Sequence, residues 1–210
     1  MNQGYWTIAH LRGAPIRLHW TLPLGALAMS RFAFVPAFWL GFALLIAIHE
    51  LGHALCVLRF GLGLTEIAIH GAGGYCRHQR SGSPLQEAIV AWGGVLAQLA
   101  LLLACVLALQ LLGAPTSRHV AQLVHVFTTT NLLIIGFNLL PIEPLDGAKA
   151  WPLIPLLWRR LRRRAPTVAD TLRDLEQLDT PADAPRDHTD RTDRIVRDLI
   201  SRTTQSKRDR

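Results

Sequence analysis

Two histidines four residues apart, His49 and His53, enclose a glutamate, Glu50, inside the apolar run from Phe34 to Phe60. Residues four apart on a helix share one face, about 6 Å apart along the axis, so both imidazoles can reach a single tetrahedral metal ion. Glu50, one position on, sits beside them. From there its carboxylate can take a proton from a metal-activated water while that water attacks a carbonyl carbon. Each ionisable group in a spanning helix costs about 3 kcal/mol on insertion scales. Three within five residues therefore call for a compensating partner, and a divalent cation supplies one. Histidines merely hydrogen-bonded within a helix bundle are the plain alternative.

A catalytic zinc site takes three protein ligands and keeps a fourth position for water. The third ligand is expected from Asp146, with Glu143 and His125 as rivals. Asp146 is the first aspartate in the chain and follows Pro141-Ile142-Glu143-Pro144-Leu145, where two prolines break any helix. A segment entering the membrane after Pro141 would reach the shallow depth of His53, which lies about seven residues from the cytoplasmic end of its helix. Asn138, just before that break, offers a side-chain donor to a developing oxyanion or to a substrate backbone, a role in which one donor contributes a few kcal/mol. Capping its own helix is the structural alternative.

The elements that must position these groups read as membrane helices. Of 210 residues half are hydrophobic and 18% charged, with a net charge of +7. The charge is uneven: before position 147 the acidic residues are Glu50, Glu66, Glu87, Glu143 and Asp146, while the last fifty residues hold nearly all the aspartates and most of the arginines. This asymmetry predicts a membrane-embedded core over 1–160 and a polar cytoplasmic tail over 161–210. The basic residues flank apolar runs rather than an aromatic-studded polar surface, which argues against nucleic acid as a partner. Cys56, Cys76 and Cys105 form no Cys-x-x-Cys pair and read as small buried hydrophobes, with Cys76 and His78 as a less favoured second metal pair.

A mainly α, polytopic membrane fold is expected, with about four spans: Leu18 to Ser30, Phe34 to Phe60, Leu85 to Leu112 and His119 to Leu140. The first is short, and its Arg12, Arg17 and small residues also fit a cleaved signal peptide; an uncleaved anchor is preferred because apolar sequence resumes after Arg31. Arg12, Arg17, Arg59, Arg77, Arg80, Lys149 and the run Arg159 to Arg164 then share one side, against Arg31 and Arg118 on the other. That bias predicts both termini in the cytoplasm of a cell, most simply at a bacterial plasma membrane. Between the second and third spans, Gly61 to Ser83 alternates at Thr65, Ile67 and Ile69 and suggests a short strand hairpin at the membrane surface, an unstructured loop being the alternative. Trp151 to Trp158, punctuated by Pro152 and Pro155, is expected at the lipid interface with its tryptophans at headgroup level. The tail offers two weak amphipathic helices, through Val168, Leu172, Leu175 and Leu178 and through Ile195, Val196, Leu199 and Ile200.

The segment Asn138-Leu139-Leu140-Pro141-Ile142-Glu143-Pro144-Leu145-Asp146-Gly147, paired with His49-Glu50-Leu51-Gly52-His53, resembles the two signature motifs of the site-2 protease family of intramembrane zinc metalloproteases. The resemblance covers about residues 10 to 160. It implies Zn2+ as cofactor, Asp146 as third ligand, Asn138 as the motif asparagine, and cleavage of a membrane-protein substrate within its transmembrane helix. It also implies a strand near Ile67 to Tyr75 that pairs with the unwound substrate. A helical substrate hides its carbonyls in internal hydrogen bonds, and a sheet edge can take over the freed groups. Where the family commonly has Gly-Pro-x-x-Asn, this chain reads Gly94-Val95-Leu96-Ala97-Gln98, leaving Gln98 either a polar contact to the site or a packing residue, with Gly93 and Gly94 permitting close helix approach. Ala148 stands where a second glycine is often seen. No PDZ-like or CBS-like insertion is expected, and the residues leave the oligomeric state open, a homodimer being compatible with them. The competing classes are a non-proteolytic membrane metal-binding protein or carrier with the same ligands, and a membrane-tethered interaction protein acting through its basic tail.

Overall fold

The computed structural model describes residues 4–162. Two short strands, β1 (Tyr5–Leu11) and β2 (Ala14–His19), open the chain and are joined by Arg12 and Gly13, both at positive φ. That pair gives the backbone the tight turn whose twist matches a two-residue hairpin. A helix of eight residues, α1 (Leu22–Met29), follows, and then the 24-residue α2 (Pro36–Arg59). A second hairpin, β3 (Leu64–His70) and β4 (Gly73–His78), leads into α3 (Pro84–Leu112). Ser83 starts α3 with a capping box, its side chain accepting from Gln86 while the Gln86 side chain reaches back. The next apolar run is α4 (Arg118–His125), a π-helical turn (Val126–Thr130) and α5 (Asn131–Asn138) in continuous succession. An irregular turn, the one-turn α6 (Gly147–Ala150) and α7 (Leu153–Arg162) complete the described part.

Among the described residues, three helical runs are long and apolar enough to cross a membrane: Pro36–Arg59, Pro84–Leu112 and Arg118–Asn138. The expected first span, Leu18 to Ser30, is not one of them. Its start is the end of β2, Pro23 sits in the first turn of α1, and Arg31 and Phe32 turn the chain at positive φ, so only two helical turns form. The N-terminal segment nevertheless packs along α2. The Trp39 indole of α2 donates to Ser30 and Ala33 beyond α1, while β2 lies beside β3. Strand plus short helix replaces the expected helical anchor.

The sheet has the order β1-β2-β3-β4, with β2 and β3 parallel and the outer pairs antiparallel. The expected β3–β4 hairpin is thus half of a four-stranded sheet. Arg17 on β2 bonds Glu66 on β3 at 2.8 Å, and Arg77 on β4 approaches the same carboxylate at 3.6 Å. Inside, Ile69 of β3 packs with Phe42, Leu45 and Ile46 of α2, Leu22 and Ala26 of α1, and Val126. A smaller cluster of Val57, Leu62 and Val90 closes the other end of α2 against α3. α2 and α3 approach closely because Gly52 and Gly93 face each other; a Cβ on either would strike the other's carbonyl. The three cysteines are free and half-buried, less enclosed than expected. The two amphipathic helices read in the tail lie outside the described residues.

Candidate metal centre

On α2 the four-residue spacing puts His49 and His53 on one face, where their rings stand edge to face with centroids 4.6 Å apart. Their Nε2 atoms are 3.0 Å apart. Each ring is held from behind: Nδ1 of His53 meets the Val90 carbonyl at 2.7 Å, and Nδ1 of His49 meets Gln98 Oε1 at 2.9 Å. Both Nδ1 atoms face oxygen acceptors and carry the ring protons, which leaves the Nε2 lone pairs pointing at one spot. Gly94 makes that possible, since a Cβ there would lie 2.5 Å from His53 Nε2 and 2.6 Å from His49 Cε1.

Asp146 comes to the same spot from the turn after α5. Its Oδ2 is 2.9 Å from His49 Nε2 and 3.3 Å from His53 Nε2. Although Asp146 is the N-cap of α6, its side chain makes no capping bond there, so the carboxylate is free to face the histidines. Two nitrogens and an oxygen with mutual separations of 2.9 to 3.3 Å match the edges of a tetrahedron about a zinc ion, about 3.3 Å for ligand distances near 2.0 Å. Three basic atoms so close need a shared positive charge, and the donor set of two imidazoles and one carboxylate suits Zn2+.

Glu50 is 2% exposed and lies against Gly74 of β4, where a Cβ would meet its Oε1 at 2.5 Å. Among the described residues its Oε2 has no hydrogen-bond partner. His49, Glu50 and His53 can each bring one ligand atom within 4.8 Å of the others. The three, with Asp146 and Asn138, line one cavity of about 460 Å³, bounded on the sheet side by Gly73, Gly74 and Tyr75. Asn138 is the last residue of α5 and half-buried at the cavity wall.

The rivals for the third position are elsewhere. Glu143 is exposed on the turn, and the exposed His125 stands near Phe38, close to the start of α2. Cys76 and His78 make no second metal pair. His78 faces the Arg80 carbonyl and Glu87, while burial first, then the charges of Glu50 and Cys56, push the Cys76 thiol up to about 12. Gln98 proves to touch the site rather than only pack: it is fully buried and bonded to His49. Its backbone carbonyl in turn accepts from Asn131 at 2.9 Å. The clearance roles of Gly94 and Gly74, and the Val90 carbonyl, escape sequence reasoning. For Gly94 the only signal is the Gly93-Gly94 pair, which by itself suggests helix packing.

This fold and site define a membrane protein with a buried His–Glu–His centre. No protein-family profile matches the chain. It is 31% identical over 150 residues to the "Putative zinc metalloprotease Rip3" of Mycobacterium tuberculosis, in both the Erdman and the H37Rv strains. The match covers 70% of this chain and 35% of the relative, so the chain spans about a third of the length of the curated relatives it matches. The structure resembles that of the site-2 protease from Methanocaldococcus jannaschii with a TM-score of 0.56, covering 71% of each chain at 22% identity, a likeness of fold. In its paired motifs, in this relative and in its fold the chain is similar to the site-2 protease family.

Proposed function

We propose that this chain is an intramembrane zinc endopeptidase that hydrolyses peptide bonds within the transmembrane helices of membrane-protein substrates. The observation that carries the reading is the convergence of His49, His53 and Asp146 on one point, with the unpartnered carboxylate of Glu50 beside it. Zinc, when bound, supplies Lewis acidity that polarises a carbonyl and makes a neighbouring water acidic near neutral pH. His49, His53 and Asp146 hold the ion. Glu50 accepts the proton of the attacking water and passes it to the leaving amine as the peptide bond breaks. Asn138, on the same cavity wall, donates to the substrate carbonyl oxygen as negative charge develops there. β4, an edge strand bordering that cavity, receives the unwound substrate by strand addition and brings it past Glu50.

The setting belongs to the same reading: a multi-pass protein of the cell membrane, surrounded by the lipid bilayer, with both termini cytoplasmic. The ion pair of Arg17 with Glu66 supports it by tying the N-terminal hairpin to the segment that follows Arg59. The test is Glu50→Gln in a membrane carrying a co-expressed single-span substrate. Zinc content is expected to remain while cleavage disappears; undiminished cleavage removes Glu50 from the mechanism. A non-proteolytic metal carrier would have no use for a buried base beside the metal position.

A further inference from the structure

We propose that Trp151 and Trp92 form a clamp that positions the Asp146 carboxylate against the histidine pair, an inference that rests on the metal reading above. The turn carrying Asp146 poses a physical problem. Irregular backbone near the membrane leaves carbonyls without helical partners, and such backbone persists there only where the protein satisfies it. At its entrance the Leu139 carbonyl, just past the end of α5, accepts from the Trp151 indole at 2.7 Å. At its exit the Ala150 carbonyl accepts from the Trp92 indole of α3 at 2.9 Å. The two rings meet edge to face, 6.1 Å apart at 80°. Residues 139 to 151 thereby form a closed loop with Asp146 inside it, tied at one place to α3.

That place matters for the histidines as well. Trp92 lies between Val90, whose carbonyl orients His53, and Gly94, which makes room for both imidazoles. A single short stretch of α3 therefore references both halves of the site to the same backbone. The link from clamp to carboxylate is short: the Asp146 carbonyl accepts from the Lys149 and Ala150 amides at 2.9 and 2.8 Å, so α6 moves with its N-cap. Gly147 completes the fit, because a Cβ there would strike the Leu139 and Leu140 carbonyls. An interfacial anchor would aim its indole N–H at lipid headgroups. Trp151, though its ring is exposed, aims it inward at Leu139.

The test is cobalt binding by the full-length chain in detergent, read from the visible absorption of tetrahedral Co2+ and by competition with a chelator. Trp151→Phe keeps the ring and removes the donor. It is expected to weaken Co2+ affinity about ten- to a hundred-fold, the range usual for groups that orient metal ligands, and to shift the absorption band. In an Asp146→Ala background Trp151→Phe is expected to cost nothing further, which a general structural defect would not reproduce. Wild-type affinity and spectrum in Trp151→Phe, or an equal loss in the Asp146→Ala background, would overturn the clamp while leaving the metal reading standing. A wild-type chain that takes up no cobalt would overturn both. If Trp151→Phe does not elute as a folded species, Trp92→Phe carries the test by the same criteria.

Discussion

The two sides of the candidate metal centre are built differently. His49 and His53 sit on an unbroken 24-residue helix, where their relative placement comes from helical pitch. Asp146 arrives from a turn with two prolines, held by two indole bonds and a glycine that tolerates no side chain. The histidine side is fixed by local geometry and by what α3 leaves empty. The aspartate side is fixed by bonds within its own turn and by one indole from α3, so it is the side through which the affinity for metal can be tuned with least disturbance of the α2–α3 contact.

The contrast can be broken at two glycines. Gly94→Ala places a methyl group on both imidazoles and is expected to give the largest effect: a loss of metal affinity of about a hundred-fold or more, with overpacking costing about 1–3 kcal/mol in stability. Metal analysis beside thermal melting checks it, and an alanine variant with normal zinc content would show that the rings can yield. Gly147→Ala opens the turn instead. There the expected loss of affinity is smaller, about tenfold, while the methyl group must displace the Leu139 and Leu140 carbonyls and so lowers stability as well, by about 1–3 kcal/mol. A loss of affinity matching that of Gly94→Ala would erase the distinction between the two sides.

The smallest effect sharpens the picture on the sheet side. With its thiol held up to about 12, Cys76 stays neutral through the ordinary pH range, and the thiolate is the form that reacts. Alkylation of Cys76 in the folded chain at pH 8 is expected to be much slower than after unfolding, as peptide mass analysis would show. Rapid labelling in the folded state would mean that water reaches this face of Glu50 freely.

How much of this was legible in the sequence obeys the same division. The spacing of His49, Glu50 and His53 within an apolar run sufficed for the helical side, because periodicity and ligand chemistry are both local. The three long apolar helices and the β3–β4 hairpin were equally local. Asp146 was singled out as the chain's first aspartate beyond a proline break, at a depth like that of His53, and by the resemblance of the Asn138 to Gly147 segment to a family motif, but its approach to the histidines is a matter of tertiary folding. The N-terminal strands were missed because β2 pairs with β3 across some fifty residues, and the apolar stretch at Leu18 to Ser30 looks the same whether it forms a helix or a strand followed by a short helix. The Arg12-Gly13 turn was the one available sign. The inward aim of the Trp151 indole had none, since composition alone places a tryptophan near Pro152 at the lipid surface.

The π-helical turn at Val126–Thr130 bears on how this architecture could vary. A wider turn accommodates one surplus residue, and each residue added to a helix rotates the remainder of that helix by about 100°. The phase of α5 relative to α4 is therefore set by this turn rather than by the length of the run, and Asn131 faces the Gln98 carbonyl in that phase. A one-residue insertion or deletion here would act on the centre as a change of angle, swinging Asn138 around the cavity wall while hardly altering the depth to which the helix reaches.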